Sequence, residues 1–422
     1  MSGGLSGEFE MSNNRELNIL VFNCGSSSLN YRIYRCNGPD DKQVVLTGKA
    51  SRVGVKGTEP SSVRTECGTE IEEKIIPISN HRKAAALALR SIADHKIHVD
   101  YIGHRFVHGG SYFRESAFVT EQTLGILEVC QPLAPIHNPN SLNVIDECKR
   151  RLPNIQQYVT FDSAFHSSLP ELVYSYALPK KIIERFGFRK YGFHGLSYSY
   201  VVSEAARYLK TSLEDLRIVA CHLGTGGSSV AAIRNGHSID TSMGYTPLPG
   251  LMMSTRCGDL DPMLAIYLIA EYGYRSEELI DLFSRKSGLL GISGFSSDIT
   301  DIIARLSGKE KEQAVLALNM YVHRLRKYVG SYVVALGGIN TLIFTDDIGV
   351  KSSEVRARVC ENMKWCGVEL DPSLNVQADP RRICSLNSPR SKTRILSIPT
   401  NEELVICMEG VKLLGKNHDS HL

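Results

Sequence analysis

Five side chains stand where a purely solvating residue would be out of place. Arg105 lies inside Gly103-His104-Arg105-Phe106-Val107-His108-Gly109-Gly110, an apolar strand running into glycines. An arginine there needs an anionic partner. That partner is either a structural carboxylate or a carboxylate or phosphate ligand gripped by two parallel hydrogen bonds. His137 sits in the stiff loop Ala134-Pro135-Ile136-His137-Asn138-Pro139, and Asp162 ends a strand in Phe161-Asp162-Ser163-Ala164-Phe165-His166. Strand C-termini are where ligands of α/β proteins collect. His194 lies in Tyr191-Gly192-Phe193-His194-Gly195, and Arg256 in Met253-Ser254-Thr255-Arg256-Cys257-Gly258-Asp259. Any one of them alone reads as a structural residue; five in such contexts ask for a shared anionic ligand.

Two turns of small residues add to this, Gly25-Ser26-Ser27-Ser28 and His222-Leu223-Gly224-Thr225-Gly226-Gly227-Ser228. Backbone N–H groups and hydroxyls in such turns form a concave anion site. One such turn merely turns the chain, whereas two equivalent turns fit a clamp on a polyphosphate. The chemistry these residue types suit is phosphoryl transfer, which asks the protein for rigid positive donors around the equatorial oxygens. A divalent cation on the phosphates would take oxygen ligands such as Asn23, Asp162 and Glu402. A Gly-x-x-x-x-Gly-Lys-Ser/Thr loop, a protein-kinase signature and a Gly-x-Ser-x-Gly elbow are all absent from the sequence, which sets P-loop, protein-kinase and serine-hydrolase readings aside.

The elements that must position these residues alternate between strand and helix. Asn18–Cys24 reads as an apolar strand that returns through the small-residue turn as Leu29–Tyr34, a β-hairpin. His81–His95 reads as a helix, Tyr101–Val107 as a buried strand, Ser141–Arg151 as an amphipathic helix and Ile155–Phe161 as a strand stopping at Asp162. A second strand–turn–strand unit follows, with strands at Ile218–Cys221 and Ser229–Ile233, and hints at an internal duplication. Asp371–Lys392, rich in Pro, Asn, Ser and Arg, reads as a long surface loop. Ile395–Ile398 reads as a short strand and Glu402–Leu414 as a closing helix. The whole is an α/β protein.

Composition bounds the rest. With 422 residues the chain has room for two or three domains, and 42% hydrophobic and 22% charged residues make an ordinary globular balance. A net charge of +3 gives no reason to expect nucleic acid or a membrane surface as partner. The eleven cysteines are scattered and form no Cys-x-x-Cys, as in a reduced cytosolic protein. Residues 1–17 are polar and lack the apolar core of a signal peptide, and no run of about eighteen apolar residues exists, so the expected compartment is the cytoplasm.

The sequence resembles the acetate kinase (acetokinase) family from Asn18 to about Leu414. The resemblance rests on Asn23-Cys24-Gly25-Ser26-Ser27-Ser28-Leu29, on the segments 103–110, 134–139, 161–166 and 192–197, on Asp240-Thr241-Ser242-Met243-Gly244, and on segments 255–262 and 399–404. It implies the duplicated two-domain fold of sugar kinases, Hsp70 and actin, with a cleft between the domains. The expected division is a tail at 1–17, an N-terminal domain of 18–162 plus 404–422, and a C-terminal domain of 163–403. It implies Mg²⁺ or Mn²⁺ at Asn23 and Glu402, and Arg105 on the substrate and the transferring phosphoryl group. His194 and Arg256 would stabilise the transition-state charge, Asp162 would orient acetate, and His137 would help hold phosphoryl oxygens. Val107, Ile136, Phe193 and Pro247 would line a pocket for the methyl group. The same resemblance implies a homodimer.

The sequence departs from that family's ATP-using pattern in one direction. Asn30 stands where those members close the first phosphate turn with Lys, alongside the retained Ser26 and Ser28. In the second turn His222, Gly224 and Gly226 are kept, but Thr225 replaces an Asn. Asp298 is kept while Thr300 replaces an Arg of the adenosine region. Asp346 and Asp347 replace two glycines before the retained Ile348 and Gly349. Glycines let an adenine ring lie against bare backbone, and two carboxylates there add bulk and negative charge. This style is similar to the Entamoeba-type branch of the family, which uses pyrophosphate and orthophosphate. The expectation is therefore a pyrophosphate-linked acetate kinase, with an ordinary ATP/ADP-dependent enzyme as the alternative. A propionate or butyrate kinase and a non-catalytic sensor on the same fold are the further alternatives.

Overall fold

Apolar runs buried on both faces and runs buried on one face sort the strands into central and outer positions. The computed structural model describes residues 16–38, 41–55, 57 and 59–419; of the expected tail 1–17, residues 1–15 lie outside them, and Leu17 already belongs to a strand. The chain divides into two compact units, one of residues up to Phe161 together with those from Glu402 onward, the other Asp162–Asn401. These bounds differ by a residue or two from the expected ones, which places Asp162 in the second unit and Glu402 in the first.

The first unit holds an eight-stranded sheet. Its strands are β1 Leu17–Cys24, β2 Ser28–Cys36, β3 Lys42–Ser51, β4 Ser62–Cys67, β5 Glu70–Ile75, β6 Tyr101–Phe106, β7 Ala117–Phe118 and β8 Gln156–Phe161, in the order β5-β4-β3-β2-β1-β6-β8-β7. β1 is almost wholly apolar because it is central: it pairs antiparallel with β2 and parallel with β6. β2 shows a mostly alternating burial pattern, so one face meets the core. The helix His81–Asp94 starts where the Asn80 side chain accepts the Lys83 N–H (2.9 Å) and lays Ala84, Ala88, Leu89 and Ile92 on that core. The helix expected from Ser141 begins at Asn138, because Pro139 is tolerated in a first helical turn, where its missing N–H is not needed.

The second unit repeats the plan in a six-stranded sheet. Its strands are β9 Arg217–Gly224, β10 Gly227–Arg234, β11 His237–Thr241, β12 Thr341–Thr345, β13 Cys384–Ser385 and β14 Arg394–Ile398, in the order β11-β10-β9-β12-β14-β13. As in the first unit, an antiparallel meander is followed by two parallel strands and a short antiparallel edge strand. The duplication hinted at by the two hairpins is thus present in the strand order. β9 and β10 run further than expected, pairing Gly224 with Gly227 and leaving only Thr225-Gly226 as the loop. Asp371–Lys392 is not one loop: Asp371 caps a helix Pro372–Gln377, and β13 follows. The long helix Lys311–Ala335 covers the sheet with Ala314, Leu318, Tyr321, Leu325 and Val329.

Candidate active site

In the first unit the parallel pairing of β1 and β6 brings Asn23 and Arg105 to neighbouring strand ends. Arg105 Nη1 donates to Asn23 Oδ1 (2.9 Å) and pairs with Glu402 Oε2 (3.1 Å). The anionic partner that Arg105 demands is therefore Glu402, at the start of the helix Glu402–Asp419, where a carboxylate also meets the positive end of the helix dipole. Asn23 Nδ2 donates to Glu402 Oε2 (3.1 Å) and Glu403 Oε1 (3.0 Å). Two carboxylates and an amide are hard oxygen donors of the kind Mg²⁺ prefers. Turning the Asn23 amide over would aim its oxygen at the same point as the carboxylates, at the cost of its bonds to Arg105, Glu402 and Glu403. Among the described residues no group of three His, Cys, Asp or Glu side chains could hold a metal.

The first turn is pinned by Gly25 N–H to Ser28 C=O (2.9 Å) and by the His81 ring against the Gly25 carbonyl (3.0 Å). Ser26 is exposed at its tip, Ser28 is half-buried, and Asn30 stands opposite Asn23 in the hairpin register. Val107 is buried just beyond β6, whereas Ile136 is exposed. His137 precedes the helix Asn138–Arg151, and its carbonyl accepts the Ser141 N–H (3.1 Å).

In the second unit Asp162 is buried, and its carbonyl accepts the Gly195 N–H (3.0 Å). A Cβ on Gly195 would come within 2.1 Å of that oxygen, so only glycine allows the approach. His194, just before it, holds a left-handed backbone (φ 62°). Its Nδ1 meets Ser229 Oγ (2.9 Å), which also meets the Tyr198 hydroxyl (2.6 Å). The His194 ring stacks on His222 with centroids 4.0 Å apart. Arg256 Nη1 donates to the Pro247 carbonyl and Nη2 to the Gly226 carbonyl, both at 3.2 Å. Burial pulls the Arg256 pKa below its usual value, though a guanidinium so basic keeps its charge. A Cβ on Gly227 would lie 3.1 Å from Arg256 Nη1 and 3.4 Å from His194 Nε2, so both residues converge over that glycine. Phe193 is buried, and its carbonyl meets the His166 ring (3.0 Å).

The second turn is engaged by the two aspartates. Thr225 N–H and Oγ1 donate to Asp347 Oδ1 (3.0 Å) and Oδ2 (2.9 Å), and Ile348 N–H adds a bond to Oδ1 (2.8 Å). Asp346 has a left-handed backbone (φ 63°), and its Oδ2 lies 3.1 Å from His222 Nε2. A Cβ on Gly224 would fall 2.0 Å from the same oxygen. Ile348 and Gly349 are buried in the short helix Asp346–Lys351, and buried Arg356 donates to the carbonyls of Gly349 (2.9 Å) and Val350 (2.7 Å). Asp298 caps the helix Ile299–Ala304 by accepting the Thr300 N–H (2.7 Å), with Thr300 exposed beside it.

Four contributors lay outside the sequence reading. Glu403 adjoins Glu402, and Ser229 lies two residues beyond Gly227. Ser197 bonds His222 Nδ1 (2.9 Å), and it follows His194 on the same helix as Tyr198. Their signal was adjacency to residues already singled out.

Residues 18–408 match the acetokinase family. The chain belongs to it. The chain is 40% identical to acetate kinase 2 of Clostridium perfringens (strain 13 / Type A), over 95% of this chain and 100% of that one. The crystal structure of acetate kinase from Entamoeba histolytica superposes with a TM-score of 0.85 at 40% identity, covering 94% of this chain and 99% of that one. A propionate kinase structure from Francisella tularensis subsp. tularensis SCHU S4 gives 0.84 at 32%, covering 93% and 98%. This acetokinase-family member shares the duplicated α/β fold of these structures and is a phosphotransferase acting on a carboxylate. Among the described residues no helix is long and apolar enough to cross a membrane.

Proposed function

We propose that the enzyme moves a phosphoryl group reversibly between acetate and acetyl phosphate, with pyrophosphate and orthophosphate as the donor–acceptor pair. In the forward sense a P–O bond forms to an acetate oxygen, the bridging P–O bond of pyrophosphate breaks, and its electron pair leaves with orthophosphate. Arg105 binds the acetate and phosphoryl oxygens, Asp162 orients the carboxylate, and His137 helps hold the phosphoryl group. Arg256 and His194, which converge over Gly227, stabilise the equatorial charge. Asn23 and Glu402, with Glu403 beside them, would hold Mg²⁺ or Mn²⁺, which supplies positive charge to the phosphate oxygens when bound. Val107, Ile136, Phe193 and Pro247 would face the methyl group.

The observation that carries the donor reading is Asp346, a non-glycine residue in a left-handed backbone with its carboxylate against His222 and Gly224. Bare glycine backbone for an adenine ring is not present there. The test supplies acetyl phosphate and Mg²⁺ with either ADP or orthophosphate. Pyrophosphate formation without ATP supports the reading; ATP alone overturns it. A second reading, propionate as acceptor, is favoured by the likeness to the propionate kinase structure. One methylene is worth only about 1–3 kcal/mol, so a carboxylate panel ranked by kcat/KM decides it.

The expected homodimer has a surface to rest on. The helix Pro262–Ala270 buries none of its residues and exposes Met263, Leu264, Ile266, Tyr267 and Ile269 to between 44% and 53%. A helix apolar all round is covered in the working protein, and a second copy offers the same self-complementary face. Light scattering on the intact protein and on Ile266→Glu would show a dimer and its loss.

A further inference from the structure

The way Asp347 is held has a meaning beyond the loss of an adenine site. Its carboxylate receives two N–H donors and one hydroxyl donor, from Thr225 and Ile348. That is the donor set a phosphate group would take from such a turn. Along the hairpin tip the charge changes sign: Arg256 and His194 face Gly227, while carboxylates face Gly224 and Thr225.

Resting on the pyrophosphate reading above, we infer that Asp347, backed by Asp346, is a built-in anion that selects the donor by the length of its phosphate chain. On this inference a diphosphate held at Arg256 and His194 ends before the carboxylates. Any longer chain, with or without a nucleoside, must push a phosphate against Asp347 or displace it from Thr225. The discrimination is therefore electrostatic as well as steric, and inorganic tripolyphosphate is refused along with ATP. A unit charge about 4 Å from another, at the effective dielectric of a protein surface or of water, disfavours binding by about 5- to 1000-fold.

The test compares initial rates of acetyl phosphate formation from acetate and Mg²⁺ with pyrophosphate, inorganic tripolyphosphate or ATP. From tripolyphosphate the terminal P–O bond would break and diphosphate would carry off the electron pair. The readout is the ratio of kcat/KM for tripolyphosphate to that for pyrophosphate. In the unaltered enzyme the ratio is about 0.1 or lower, and Asp347→Asn, which keeps the shape and removes the charge, raises it about 10-fold. The unaltered enzyme gives a second measurement that needs no variant: the ratio rises with ionic strength, because screening weakens repulsion and leaves steric exclusion alone. Equal use of pyrophosphate and tripolyphosphate with ATP refused overturns the chain-length inference and leaves the pyrophosphate reading standing. A ratio indifferent to both salt and Asp347→Asn also overturns it. Use of ATP but not pyrophosphate overturns the donor reading itself.

Discussion

The two units are built on one strand plan, and their hairpin tips differ in charge. β3-β2-β1-β6-β8 in the first unit corresponds to β11-β10-β9-β12-β14 in the second. The β1–β2 tip carries serine hydroxyls, while the β9–β10 tip carries Thr225 bonded to a carboxylate. The cations differ in the opposite sense. Arg105 is paired with Glu402, so much of its charge is balanced within its own unit. The hydrogen bonds of Arg256 go to two main-chain carbonyls and the Met253 sulfur, all uncharged acceptors, so they leave its positive charge unbalanced. A duplicated scaffold thus fixes where a tip and a strand end lie, and a few residues at each decide which charge is presented. The second unit places a cation at one end of its tip and an anion at the other, which a phosphate-binding turn made of backbone donors alone would not.

The largest expected effect tests that contrast at Arg256. Arg256→Ala should lower kcat by about 10²–10³-fold, the range for removing one transition-state donor. Arg256→Lys should recover part of the loss, since it restores a charge without the planar fork. A fall in melting temperature with kcat within a few-fold would instead make Arg256 a pin between Pro247 and Gly226. The first unit is tested next by Glu402→Gln. If its oxygens hold the cation, the Mg²⁺ concentration for half-maximal rate should rise about 10-fold or more. An unchanged Mg²⁺ dependence would mean that Glu402 serves only Arg105 and Asn23. A smaller effect is expected from restoring glycine at both Asp346 and Asp347. ATP use should improve about 10-fold, since bulk and charge leave together. A well-folded double variant that gains nothing would count against any role for those two positions in refusing the nucleotide.

How much of this could be read before the structure depended on the range of the interaction. Both hairpins were legible, because strand, small-residue turn and returning strand are contiguous. The need of Arg105 for an anion was legible from its apolar strand, but not that Glu402 would supply it; sequence carries no register across such a separation. The same limit hid the aspartate contacts. Asp347 reaches Thr225 over 122 residues, so the substitution was visible and the latch was not. β4 and β5 are hard to see in the sequence because Arg64 and Glu66 sit on one face of β4, and β5 exposes Glu70, Glu73 and Lys74 on both of its faces, which masks the alternation. The composition of Asp371–Lys392 reads as loop throughout, although an Asp cap followed by Pro is also how a helix begins. The domain plan was reached through resemblance and a repeat, and the one or two residues of difference at each boundary moved Asp162 and Glu402 between units.

The smallest expected effect asks whether the two units also share a weakness. Each has a fully buried histidine: His104 bonded to Gln157 (2.7 Å) in the first, His166 bonded to Ser238 (2.7 Å) and the Phe193 carbonyl in the second. Burial pushes each pKa from 6.5 down to about 4, against the smaller opposing pull of Gln157 on His104 and of the Phe193 carbonyl and Asp162 on His166. The sign follows from which state binds the proton. Between about pH 6.5 and pH 4 the unfolded chain is protonated at these sites while the folded one stays neutral. Stability is therefore full above pH 6.5 and falls as pH drops towards 4. At pH 5 the loss is about 2 kcal/mol per site. Denaturant midpoints measured at pH 7 and pH 5 should fall accordingly, and His104→Gln and His166→Gln should each flatten that dependence. If one variant flattens it and the other does not, the shared strand plan does not extend to a shared acid sensitivity, and the unit whose variant matters is the one that opens first in acid.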